Sequence, residues 1–395
     1  MDTLKATLDI LDRLVGFPTV SARSNLDLID YVEERLALEG IGARRIPDAS
    51  GRKASLLATI GPSDQAGIVL SAHTDVVPAE EPSWSSPPFT ATRRGDRVHG
   101  RGTSDMKGFI ASALAHVDAF KRAATVTPVH LAFSYDEEVG CRGAPDLVKA
   151  ASALPVRPAL CIVGEPTSLR VVSAHKGKVA RRIRITGRTG HSAMPHRAAN
   201  AVIAAARIVA SLDDMARELS RLPYDGIAFD PPYSTLHVGS LHGGTALNLV
   251  PDQAVIEFEI RSVPGTDVAG LLQRIDALVD EERRSLRRAA SEADIAIEDM
   301  SAYPGLAPAA TDTAVKAVAE LAEAEACQET VSFGTEAGLY SEARIPTVVC
   351  GPGDMARAHK ADEWIGIDEL SGANRMMQRL ALKLDRPIAE WMRAA

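Results

Sequence analysis

Ile68–Val77 reads IVLSAHTDVV: three apolar residues, then Ser-Ala, then His73, Thr74 and Asp75. A short apolar run that ends abruptly in polar, chemistry-bearing residues has the pattern of a buried strand opening into a functional loop. The pattern recurs. Val129–Phe133 leads into SYDEEVG, with Glu137 and Glu138. Ala159–Val163 leads into GEPTS, with Glu165. Helical spacing fills the intervals, at Leu4–Val15, Leu26–Leu38, Met106–Phe120 and Ala144–Ala151. Buried strands alternating with helices predict an α/β fold with a mainly parallel sheet. In such a sheet, ligands gather beyond the carboxyl ends of the strands.

The rhythm changes after residue 177. Lys178–Thr186 alternates apolar and basic residues, as expected of a strand with one wet face. A helix over Ala198–Leu212, strands at Thr235–Gly239 and Ala254–Arg261, a helix over Val268–Ser285 and a strand at Ile295–Ser301 follow. This order predicts an inserted α+β lid or dimerisation domain at 178–304, splitting a metal-binding catalytic domain into 1–177 and 305–395. The helix over Thr313–Ala324, the strand Thr347–Cys350 and the helix Leu370–Leu384 then resume the first pattern.

The net charge of −8 argues against a nucleic-acid partner, which calls for clustered Lys and Arg, and suits a chain that holds cations. No apolar stretch is long enough to span a bilayer, and the first residues lack the basic start and unbroken apolar run of a secretory signal. The four cysteines, Cys141, Cys161, Cys327 and Cys350, have no CxxC spacing. Neither a thiolate metal site nor a disulfide framework is indicated, and the expected compartment is the cytoplasm. There is no GxSxG elbow, P-loop or dinucleotide fingerprint.

The chemistry is distributed along the chain. Asp105 lies in the Gly-rich stretch GRGTSDMKG, and His359 in AHKADEW. With His73, Asp75, Glu137, Glu138 and Glu165, they form a set of carboxylates and imidazoles at the mouths of one sheet. Mixed donors of this kind suit zinc, and equally cobalt or manganese. Asp105, Glu138 and Glu165 go most of the way to neutralising two dications, and His73 and His359 add neutral nitrogen.

HTDVVP, GRGTSDMKG, DEEVG, GEPTS, GHSAMPHRAANA, GGTALNLVPD, FGTEAGLY and GPGDMARAHKADEW, in this order, resemble the M20 metallopeptidase-like deacylases over nearly the whole chain. The resemblance implies two metal ions. His73 and Glu165 would hold one, Glu138 and His359 the other, and Asp105 both. Asp75 would accept the second ring N–H of His73, and Glu137 would be the general base. His191, in the inserted domain, would reach the active site of a partner subunit and stabilise the oxyanion, so a homodimer is implied.

Other residues are candidate substrate contacts. Asn248 and Arg261 suit a carboxylate. Thr335 precedes a helix start that also suits one. Glu336 would select an amine-bearing substrate by charge, and Lys176, beside His175, would line the cleft. The expected reaction is hydrolysis of N-acetyl-L-ornithine, in arginine biosynthesis. The rival substrates are succinyl-diaminopimelate and other N-acylated amino acids. A non-catalytic small-molecule-binding relative should have lost ligands or the base, and here all are present.

Overall fold

The computed structural model describes residues 3–21, 23–79, 83–226, 229–307, 312–327 and 329–394. They divide into two compact units. The first draws on Met1–Ala174, Leu306–Thr330 and Thr335–Ala395, the second on His175–Gly305 and Val331–Gly334. The sequence reading put the borders at 177/178 and 304/305 and did not foresee that Val331–Gly334 goes with the second unit.

An eight-stranded sheet forms the first unit. Its centre is Val129–Ser134, Ile68–His73, Leu160–Pro166 and Thr347–Gly351, side by side and parallel. All four are buried along their length, as strands covered on both faces by helices must be. The flanking strands Ala43–Pro47, Ala54–Ile60 and Val172–His175 pair antiparallel, so the sheet is mixed at its margins. Thr3–Val15 turns Ile10, Leu11, Leu14 and Val15 inward onto this core. Gly164 shows how tightly the layers meet. A Cβ there would lie 2.1 Å from Phe109 Cγ, so only glycine lets the helix Gly108–Ala115 approach the strand that presents Glu165.

A small three-stranded sheet, Thr92–Arg94, Arg97–His99 and Trp364–Gly366, brings two distant parts of the sequence together. His99 is opposite Trp364, so the loops carrying Asp105 and His359 leave neighbouring strands.

The second unit is an antiparallel sheet in the order Thr235–Gly243, Gln253–Ser262, Gly177–Thr186, Asp294–Tyr303. Strand Gln253–Ser262 buries every second residue, the period-2 pattern of a sheet with one face covered. The helices Ala201–Leu219 and Val268–Ala289 cover that face, packing Ile208, Leu212, Ile275 and Val279 on Ile183, Ile256, Phe258 and Ile260.

Candidate metal centre

Each of the four parallel strands leads to part of the site. His73 is the last residue of Ile68–His73, and Glu165 is next to last in Leu160–Pro166. Glu137 and Glu138 follow Val129–Ser134, and His359 lies in the loop after Thr347–Gly351. Asp105 comes from the turn before helix Gly108–Ala115. The five expected ligands thus converge on one end of the sheet.

Asp105 is at the centre. Its Oδ1 lies 3.0 Å from His73 Nε2, and its Oδ2 lies 3.2 Å from His359 Nε2. Glu165 Oε1 is 3.8 Å from His73 Nε2, whereas Glu138 Oε2 is 3.0 Å from His359 Nε2. One carboxylate therefore faces two imidazoles, and each imidazole has a further carboxylate of its own. Donor atoms of His73, Asp105 and Glu138 lie within 4.8 Å of one another, as do those of His73, Glu137 and Glu165.

The electrostatics fit a centre built for cations. Burial, and then the charge on Asp105, push Glu138 up to about 7 and Glu165 well above the usual carboxylate range. Burial also raises Asp105, but hydrogen bonds from His359 and His73 overcome it and hold this carboxylate low. The His359 imidazole is pushed up to about 10 by its bonds to Asp105 and Glu138. Carboxylates crowded out of water repel each other, and positive charge among them relieves that repulsion. The donor set of oxygen and imidazole nitrogen suits divalent zinc, cobalt or manganese.

Asp75 does not act as expected. His73 Nδ1 donates to the Asp75 backbone carbonyl at 2.9 Å, while the carboxylate Oδ1 is 3.6 Å away. The ring is still oriented, with Nε2 left for a metal, but by the main chain. The Asp75 carboxylate accepts instead from Ser21 Oγ at 2.8 Å, Glu137 N at 3.0 Å and Glu138 N at 3.3 Å. It shapes the turn that presents those two glutamates. The Cys141 thiol lies 3.3 Å from Glu137 Oε1, and burial pushes Glu137 up to about 8.

Three expected substrate contacts are engaged elsewhere. Glu336 is fully buried, and its two oxygens accept from Ser71 Oγ and Ser134 Oγ at 2.6 and 2.7 Å. Both serines lie on the His73 face of the sheet, and Glu336 has no exposed surface there. Thr335 Oγ1 accepts from Ala337 N, which turns the chain into the helix Ala337–Glu342. Lys176 donates to the carbonyls of Pro231 and Tyr233 at 2.7 and 2.8 Å and so holds a loop. Sequence reasoning saw a cleft-side cation at Lys176 because the backbone acceptors that take up its charge are invisible in sequence.

The remaining candidates lie in the second unit. Arg261 donates to Glu259 Oε1 at 3.0 Å and to the Tyr303 hydroxyl at 2.9 Å. Asn248 and His191 are exposed. His191 Nδ1 accepts from Ala193 N at 3.1 Å, so the neutral ring carries its proton on Nε2, at the open end of the side chain.

Glu363, which carries no expectation from the sequence, braces the Asp105 turn. It is 1% exposed, four residues beyond His359 in AHKADEW. Its Oε2 accepts from Gly102 N and the Arg101 guanidinium, and its Oε1 from Ser104 N and Asp105 N. The available signal was an acidic residue inside a motif that already supplied a ligand.

Residues 69–383 match the sequence profile of Peptidase family M20/M25/M40. An acetylornithine deacetylase of Myxococcus xanthus is 35% identical over 96% of this chain and 97% of its own length. Another, of Photorhabdus laumondii, is 32% identical over 94% and 96%. Among solved structures, an M20 family metallo-carboxypeptidase from Sulfolobus solfataricus superimposes with a TM-score of 0.75 at 19% identity, over 96% of this chain and 99% of that one. A dinuclear metal binding peptidase of Bacillus subtilis gives 0.64 at 17%, over 96% and 98%. Identities this low speak for the fold alone.

Proposed function

Because the chain belongs to peptidase family M20/M25/M40, a family of metal-dependent hydrolases, we propose that it removes the acetyl group of N-acetyl-L-ornithine, giving L-ornithine and acetate. That would place it in arginine biosynthesis. The observation that carries the chemistry is Asp105 offering one oxygen toward each of two imidazoles. The choice of substrate is supported by full-length relatives of that name.

In this reading His73, Glu165, Asp105, Glu138 and His359 would hold two zinc ions, and cobalt and manganese suit the same donors. When bound, such ions polarise a carbonyl and make water nucleophilic at neutral pH. Glu137 takes a proton from the attacking water and delivers it to the departing ornithine nitrogen. His191 donates its Nε2–H to the carbonyl oxygen as negative charge gathers there. Asn248 and Arg261 bind the substrate α-carboxylate.

His191 is proposed to serve the site of a second copy. The support is the family resemblance together with the shape of the second unit. Strand Thr235–Gly243 is an edge strand, and Leu247 and Leu249, beside the bridge between Leu249 and His191, are 100% and 45% exposed. Unpaired edges and exposed leucines favour association with another chain.

A hydrolysis panel of acetylornithine, succinyl-diaminopimelate and acetylmethionine tests the reading, run with zinc or cobalt and after chelation. Acetylornithine should have the highest kcat/KM, and activity should vanish with the metal and return with it. Preference for either rival would overturn the substrate assignment.

A further inference from the structure

Two serines inside the central sheet have no part in the chemistry above. Ser71 lies two residues before His73 on the same strand, so both side chains leave the same face. Ser134 ends the adjacent strand in register with His73, and Glu137 follows three residues later. Both serines are fully buried, and both bond to one carboxylate, that of Glu336, at 2.6 and 2.7 Å. The Tyr340 hydroxyl lies 2.9 Å from Ser71 Oγ and extends the network along the helix that begins beside Glu336.

An anion in the middle of a protein is costly unless its lone pairs are taken up. Burial pushes the Glu336 carboxyl up, and the Ser71 and Ser134 hydroxyls pull it back. The cost is met at one particular place. The two hydroxyls stand on neighbouring strands, one leading to a metal ligand and the other to the general base. A planar two-oxygen acceptor that binds both fixes the stagger of those strands. Further along the same two chain segments, the Asp75 carboxylate binds the N–H groups of Glu137 and Glu138. The segments are thus stapled at two points, with His73 between them.

We propose that Glu336 is a positioning residue for hydrolysis, a buried clamp that acts through Ser71 and Ser134 to set His73 against Glu137. The proposal rests on the hydrolase reading above. A displacement of about 1 Å at a reacting group can cost on the order of 100-fold in rate.

The test is Glu336→Gln, which keeps the shape and replaces one acceptor oxygen with a donor that faces a serine hydroxyl. Turnover of acetylornithine and acetylmethionine should both fall about 10- to 100-fold. Their ratio and the KM values should hold, and the visible absorption of the cobalt-loaded protein should shift as His73 turns. Ser134→Ala should move the same quantities less, and combining the two should give less than the product of their effects. A selective loss of acetylornithine turnover would make Glu336 a specificity residue and overturn the proposal. A lower melting temperature with unchanged kcat and cobalt spectrum would leave it a packing residue and also overturn it. If Glu336→Gln does not fold, Ser134→Ala carries the test alone. If the wild type hydrolyses neither substrate, the substrate reading has failed, and the cobalt spectrum of the variants still decides the clamp.

Discussion

Glu363 Oε1 accepts the backbone N–H of Asp105 at 3.1 Å, so one carboxylate holds the main chain of the residue whose own carboxylate faces both imidazoles. The same side chain holds Ser104 N at 2.9 Å and Gly102 N at 3.0 Å. It also pairs with Arg101, equally buried, at 2.9 Å. Glu363→Ala would strand a buried guanidinium and should destabilise the protein by about 3–5 kcal/mol. Glu363→Gln keeps one acceptor and should fold, with metal affinity reduced about 10- to 100-fold. Metal titration followed by calorimetry checks both. Unchanged affinity in Glu363→Gln would show that Asp105 needs no such support.

The Glu137 carboxylate has the Cys141 thiol 3.3 Å from Oε1 and reaches within 4.8 Å of donor atoms of His73 and Glu165. Glu137→Gln should lose activity by about 100- to 10,000-fold, the usual worth of general acid–base catalysis. Its metal content should match the wild type, because five other donors remain. Loss of metal together with activity would instead make Glu137 a ligand.

His191 can be tested by complementation. His191→Ala alone should have low kcat and normal metal content. Mixing it with Glu137→Gln before subunit exchange should restore about a quarter of wild-type activity, since half the dimers are mixed and each of these has one intact site. If activity does not return although exchange is shown, the histidine serves its own chain.

A pH effect is expected at the start of strand Val129–Ser134, away from its end beside His73. His130 is 2% exposed on strand Val129–Ser134, with Nδ1 3.0 Å from Thr59 Oγ1, and burial holds its imidazole down to about 4. An unfolded chain takes up this proton near pH 6.5, about 2.5 pH units earlier. The contribution of His130 to stability is therefore complete above about pH 6.5 and is lost as pH falls toward 4, reaching on the order of 2 kcal/mol at pH 5. In His130→Leu, denaturant unfolding at pH 7 and pH 5 should show a smaller difference by roughly that amount. An equal pH difference in both proteins would mean the ring is charged when folded.

The central strands and the residues at their ends were legible because a buried parallel strand is a plain apolar run, and His73, Glu165 and Glu137–Glu138 interrupt such runs. The margins were less so. Val172–His175 is only four residues long and pairs with Thr347–Gly351 from far along the chain. Nor could sequence say what a buried polar group bonds to. Asp75 uses its carbonyl where its carboxylate was expected, and Lys176 spends its charge on backbone oxygens. Ser71 and Ser134 look like ordinary small residues in strands until Glu336 is found between them.

The small sheet that pairs His99 with Trp364 has a consequence for how the protein is made. Synthesis delivers His73, Asp105, Glu138 and Glu165 early, and then the whole second unit, before His359 and Glu363 emerge. During that interval the growing chain has one of the two imidazoles that face Asp105 and no brace behind Asp105. The ribosome therefore finishes the carboxylate–imidazole cluster almost last, and a chain truncated before residue 359 would carry Asp105 with one facing imidazole instead of two.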